Sequence, residues 1–176
     1  PAFMAGTVER SGPTEPVVVM ERVVDNDADA YLSLEEVSAA AGGINLKVEY
    51  RDLKAKAAAV DPSQVEHMDS FTVQSFDTED GYRGLSLTTL DFDSEDAAAT
   101  HMAMLTGPDS GMQDMDETIG DESVSLEANR GGMGSLVAFK KGEWVVSLHT
   151  SQPNGDTPLM DLADLESLAR AVAGRL

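Results

Sequence analysis

The sequence predicts an α+β protein, an antiparallel sheet of about five to seven strands with about two or three helices packed on it, the last a C-terminal amphipathic helix. Three observations carry this. Ser123-Val-Ser-Leu-Glu-Ala-Asn129 alternates polar and apolar residues, placing Val124, Leu126 and Ala128 on one face of a strand. Gly134 to Lys140 and Glu143 to Thr150 flank a Lys141-Gly142 turn, a hairpin with Trp144, Val146 and Leu148 on one side. Thr157 then caps a helix with Pro158 at its first position, in which Leu162, Leu165, Leu168, Val172 and Leu176 recur at helical spacing.

A chain of 176 residues suits one domain with a proper core. Residues 1–16, with Gly6, Gly12, Pro13 and Pro16 among small polar residues, read as a flexible arm, and 17–176 as the domain. Thirty-two acidic against twelve basic residues give a net charge of −20 spread along the chain. Such a surface repels phosphate backbones and anionic headgroups, so nucleic acid is excluded as a partner and a divalent cation is favoured. The same acid excess also suits a saline environment without any ligand. No run of about 18 apolar residues occurs, so direct membrane insertion is not expected. With no cysteine there is no disulfide, thiolate nucleophile or Cys-ligated metal. Pro1 in place of a methionine leads to the expectation of a processed or trimmed chain, from which an export signal would have been removed.

The run Val17 to Val24, VVVMERVV, suits a strand by its β-branched residues, and a helix leading into the next motif by spacing. The twelve residues Asp25 to Glu36 resemble an EF-hand calcium loop. Asp25, Asp27 and Asp29 stand at positions 1, 3 and 5, the Tyr31 carbonyl at 7, Leu32 and Ser33 at 8 and 9, and Glu36 at 12. Ca²⁺ is a hard ion that takes six to eight oxygens, and a tight loop turns its odd-numbered residues inward while the last carboxylate closes the shell. Ala30 departs from the glycine of position 6, and positive φ there costs an alanine about 1 kcal/mol. Set against the metal is a simpler arrangement. Ser33 and Glu36 form a capping box, which makes Asp25 to Asp29 a solvated turn before a helix from Leu34 to Ala41 that ends at Gly42-Gly43.

Ile44, Leu46, Val48 and Tyr50 define a strand with one buried face, Asp52 to Val60 a helix stopped by Asp61-Pro62, and Ser63 to Met68 a further helical turn. Ser70 to Asp77 and Tyr82 to Phe92 pair around Thr78-Glu-Asp-Gly81. Within the second of these, the apolar phase jumps from Leu85 and Leu87 to Leu90 and Phe92, which predicts a bulge at Thr88-Thr89. Asp93-Ser94 opens a helix through Ala97, His101 and Met104, ended by Gly107-Pro108, and Asp109 to Gly120 reads as an exposed loop or a short turn.

From Ser33 to Leu176 the order of elements resembles extracytoplasmic domains of bacterial lipoproteins and sensor-type proteins. The resemblance rests on the alanine-rich helix after Asp93-Ser-Glu-Asp96, the phrase Ile119-Gly-Asp-Glu122, the Lys141-Gly142 hairpin and the terminal LESLARAVAGRL. It implies a non-enzymatic α+β sandwich, extracytoplasmic or secreted, used for ligand sensing or as an assembly part beside other protein subunits. It carries over no functional residue, and without a lipidation cysteine it supports no anchor.

Catalytic signatures are missing. There is no Gly-x-Ser-x-Gly, no His-Glu-x-x-His and no Gly-x-x-x-x-Gly-Lys, and Gly131-Gly132-Met133-Gly134 lies between strands, as a hairpin loop does. His67, His101 and His149 are far apart, as structural histidines usually are. His67-Met68 and His101-Met102 have the thioether–imidazole chemistry of Cu(I) sites, though methionine more often fills irregular cores. The expectation is a non-catalytic binding or structural module, calcium-stabilised through Asp25, Asp27, Asp29, Tyr31 and Glu36. The alternative is an enzyme whose histidine and carboxylate meet in an unmarked cleft, and a third possibility is a subunit of a larger assembly.

Overall fold

The computed structural model describes residues 22, 23, 31–127 and 133–176. Its strands are β1 (Arg22–Val23), β2 (Leu46–Asp52), β3 (Met68–Thr78), β4 (Gly84–Phe92), β5 (Gln113–Asp114), β6 (Glu122–Leu126), β7 (Met133–Lys141) and β8 (Trp144–Ser151). All pair antiparallel in one sheet, in the order β1-β2-β3-β4-β8-β7-β6-β5, with a two-residue strand hemming each edge. The α+β class and the closing helix are therefore as expected. Among the described residues no helix is long and apolar enough to cross a membrane.

Among the described residues four α helices cover the sheet from both sides. On one face α1 (Leu34–Ala40) and α4 (Leu162–Ala173) bury Val37, Leu165, Leu168 and Val172 against Phe76, Leu85, Leu87, Val137, Phe139, Val146 and Leu148. On the other, α3 (Glu95–Leu105) and a 3-10 turn at Pro62–Val65 place Ala98, Met102 and Val65 against Met68, Leu90, Phe92, Val124, Ala138 and Val145. The remaining helix, α2 (Lys54–Val60), lies on this second side and buries no side chain.

This two-sided cover corrects the bulge expected at Thr88-Thr89. The pairing of β3 with β4 runs unbroken from Ser70↔Asp91 to Asp77↔Gly84, and β4 pairs β8 without a slip. Leu85 and Leu87 point to the α1/α4 side, and Leu90 and Phe92 to the α3 side. The apolar phase changes because each half of the strand is covered on a different face. Within the β3–β4 pair a register shift lies instead between Met68 and Ser70 of β3.

A second correction concerns the start of the last helix, expected at Pro158. The N-cap is Asp161, whose carboxylate accepts from the Asp164 N–H at 2.9 Å. Leu159 and Met160 instead sink into the core, and Met160 joins the cluster that holds Leu165 four residues past the cap, in the positions of a hydrophobic staple. Gly134 of the glycine cluster is a strand residue; a Cβ there would strike Thr150 Oγ1 and Gln152 Oε1. Gly131 and Gly132, Ala128 and Asn129, and most of the Val17 to Val24 run lie outside the described residues.

Leu165 is fully buried and holds α4 both to the sheet and to its own cap. Leu165→Ala should therefore destabilise the protein by about 2–5 kcal/mol in urea unfolding. An unchanged midpoint would contradict this packing.

Candidate functional site

A cavity of about 810 Å³ opens between α3 on one side and α2 with the Pro62–Val65 turn on the other, over the second face of the sheet. Composition explains why it is there. The α2 stretch KAKAAAV presents mainly alanine, and side chains that short cannot reach α3. On α3, Ala98 and Met102 grip the sheet, while Ala97, His101, Met104 and Leu105 recur at i, i+4, i+7 and i+8 and line the groove. Phe71, Leu90 and Val145 form most of the floor.

Most of the lining surface is apolar, and besides the exposed Ser63, Gln64 and Thr100 its polar side chains lie at two levels. In the floor Thr88 faces Ser147 across the β4–β8 ladder, both half-buried, and among the described residues neither hydroxyl has a hydrogen-bond partner. At the mouth, His67 Nδ1 lies 3.0 Å from Asp93 Oδ2, and Ser94 donates its hydroxyl to Asp93 Oδ1 at 3.0 Å. The Asp93 bond raises the pKa of His67, and the same bond lowers that of Asp93. His101 stacks obliquely on Phe92, ring centroids 5.3 Å apart. Burial lowers its pKa, so the imidazole is neutral at neutral pH. Among the described residues of the lining, Asp96, exposed in the first turn of α3, is the only other ionisable group, and there is no lysine or arginine.

Sequence reasoning set His67 and His101 apart, yet both line this one cavity. Their trace was the two His-Met dipeptides. In each, the methionine enters the core, and the neighbouring histidine is left at the groove. Among the described residues no three His, Asp or Glu side chains are grouped as a metal would need.

Of the residues assigned to calcium, Asp25, Asp27 and Asp29 lie outside the described residues. Tyr31 and Glu36 are brought together, and Arg175 is what joins them. Its guanidinium donates to the Tyr31 carbonyl and to both Glu36 oxygens, Nη1 to Oε2 at 3.2 Å. The capping box is complete as well: Glu36 Oε2 accepts from the Ser33 N–H at 2.9 Å, and the Ser33 hydroxyl accepts from the Glu36 N–H at 3.2 Å. Tyr31 also packs edge-on against Trp144, centroids 5.8 Å apart. No signal within residues 25–36 pointed to Arg175, which is remote in the chain.

No protein-family model matches this sequence, and no curated protein matches it either.

The Arg175 bond and the Ser33 N–H take Glu36 from its ordinary 4.5 to about 2. A carboxylate depressed on folding contributes in full above pH 4.5, and the contribution fades as pH falls toward 2. Both partners are part-exposed, so screening leaves about 0.5–1 kcal/mol. Arg175→Ala should show that loss in urea unfolding at about pH 7 and a smaller one at about pH 3. A gap that does not narrow would detach it from this ion pair.

Proposed function

We propose that the protein is a non-catalytic, extracytoplasmic binding module that takes a largely apolar small molecule into the groove between α2 and α3. The cavity carries the assignment: at about 810 Å³ it is of small-molecule size, and it has an apolar floor with few polar groups. The extracytoplasmic setting rests on the resemblance of residues 33–176 to lipoprotein and sensor-type domains. A role as a subunit of a larger assembly has less support, since the large exposed hydrophobics Val60, Tyr82 and Met104 are scattered over α2, the β3–β4 connection and α3.

The His67–Asp93 pair at the cavity mouth favours one other function, acid–base catalysis on the bound molecule, because the carboxylate orients the ring and makes it a stronger base. Nile red, a neutral apolar fluorophore, tests the site. Wild type should enhance its emission, and Ala97→Trp, which fills the groove from the α3 wall, should weaken binding at least about tenfold. Equal binding by Ala97→Trp would remove the cavity as the site. His67→Gln should bind as wild type does; turnover of bound aryl esters that this variant abolishes would establish the enzyme instead.

Calcium at Asp25, Asp27, Asp29, Tyr31 and Glu36 is the ancillary part of the proposal. Because Arg175 engages the Tyr31 and Glu36 oxygens, the cation would have to displace the guanidinium. Millimolar Ca²⁺ after EDTA, at fixed ionic strength, should then raise the melting temperature of Arg175→Ala more than that of wild type, and should not raise that of Glu36→Gln. Identical responses from all three would remove calcium from this loop.

A further inference from the structure

Resting on the assignment of the groove as a small-molecule site, we propose that its occupant is an uncharged amphiphile. It has a hydrocarbon body with hydroxyl or ester oxygens, as in a monoacylglycerol, and its head group lies over Thr88 and Ser147.

Charge selects against ionic head groups of either sign. A carboxylate or phosphate would find no lysine or arginine among the described residues of the lining, and would approach a protein of net charge −20. The N-terminus of α3, which borders the cavity, does not compensate. The Ser94 hydroxyl already accepts from the Ala97 N–H there, and Glu95 and Asp96 occupy the first turn. A cationic head fares no better. Asp93 is already paired with His67, and Asp96 is exposed and solvated. Deeper in, His101 is a neutral imidazole lodged against Phe92, and an ammonium beside it would be desolvated without a counter-charge.

The floor supplies the hydrogen bonding such a head group needs. Thr88 and Ser147 are cross-strand neighbours on the face of the sheet that carries the apolar Leu90 and Val145. Each can donate and accept, which suits a hydroxyl or an ester oxygen. A pure hydrocarbon would cover them and leave them unpaired.

Competition against bound Nile red, on the full chain at fixed ionic strength, tests this with three amphiphiles of one chain length: monolauroylglycerol, laurate and dodecyltrimethylammonium, each below its micelle concentration. Monolauroylglycerol should displace the dye at a concentration at least about tenfold below either charged compound. Thr88→Val combined with Ser147→Ala should reduce that preference to about threefold or less, the displacement by each competitor being referred to the Nile red affinity of the same variant; Ser147→Ala alone, expected to halve the preference or more, serves where the pair does not fold. Laurate or the ammonium competing as well as the monoglyceride overturns the proposal, as does a hydroxyl-free variant that keeps the full preference. If wild type fails to bind Nile red, the cavity is not the site and both assignments fall; if it binds the dye without preference, the ligand class alone falls.

Discussion

The pairing of β4 with β8 is the constraint on which the rest depends. It runs in register from Gly84↔Ser151 to Asp91↔Trp144 and joins the β2–β3–β4 meander to the β6–β7–β8 half of the sheet. Both strands work on both faces. Leu85, Leu87, Val146 and Leu148 supply the α1/α4 core, while Leu90, Phe92 and Val145 supply the α3 core. A slip of one residue in either strand would exchange the faces of that strand's side chains and put its hydroxyl, Thr88 or Ser147, among the large apolar residues under α4. The register therefore decides at once where the core closes and where two hydroxyls come to lie in the floor of a groove.

The two sides of the sheet are packed to different standards, and the difference is one of side-chain size. Under α4, Leu165, Leu168 and Val172 reach the sheet and leave a continuous core. Under α2 and α3 the alanines are too short to meet, and Met102 and Val65 anchor the cover at separate points. An alanine-rich helix of high intrinsic propensity but little reach is thus stable enough to stand as a wall without filling the space behind it. The cavity is a consequence of packing, and its chemistry comes from the few polar residues that the same helices and strands happen to aim into it.

At the other end of the molecule, Glu36 shows how one carboxylate serves a local and a distant role. Its bond to the Ser33 N–H closes α1 at its first turn, a matter of three residues. Its bonds to Arg175, which also takes the Tyr31 carbonyl, tie that helix to the C-terminus. The capping box was legible in Ser33 and Glu36, because i, i+3 contacts belong to the helix itself. The arginine was not, because nothing within twelve residues encodes what folds against them.

Much of the fold was legible for the same reason. Alternation in β2 and β7–β8, Asp93-Ser94 and Asp61-Pro62 at helix boundaries, and the spacing from Leu162 to Val172 are short-range patterns, and each became the expected element. Where reading failed, at Thr88-Thr89 and at Pro158, a local rule was applied to residues whose burial is set from elsewhere: helices on opposite faces of β4, and a core that drew in Leu159 and Met160. The candidate site was hardly legible at all. By itself the sequence determined the elements, the charge and the classes of chemistry it lacks. Only the tertiary structure decided that His67, Thr88, His101 and Ser147 share one groove, since a cavity is a property of what fails to touch across three elements, and no periodicity within any one of them records that gap.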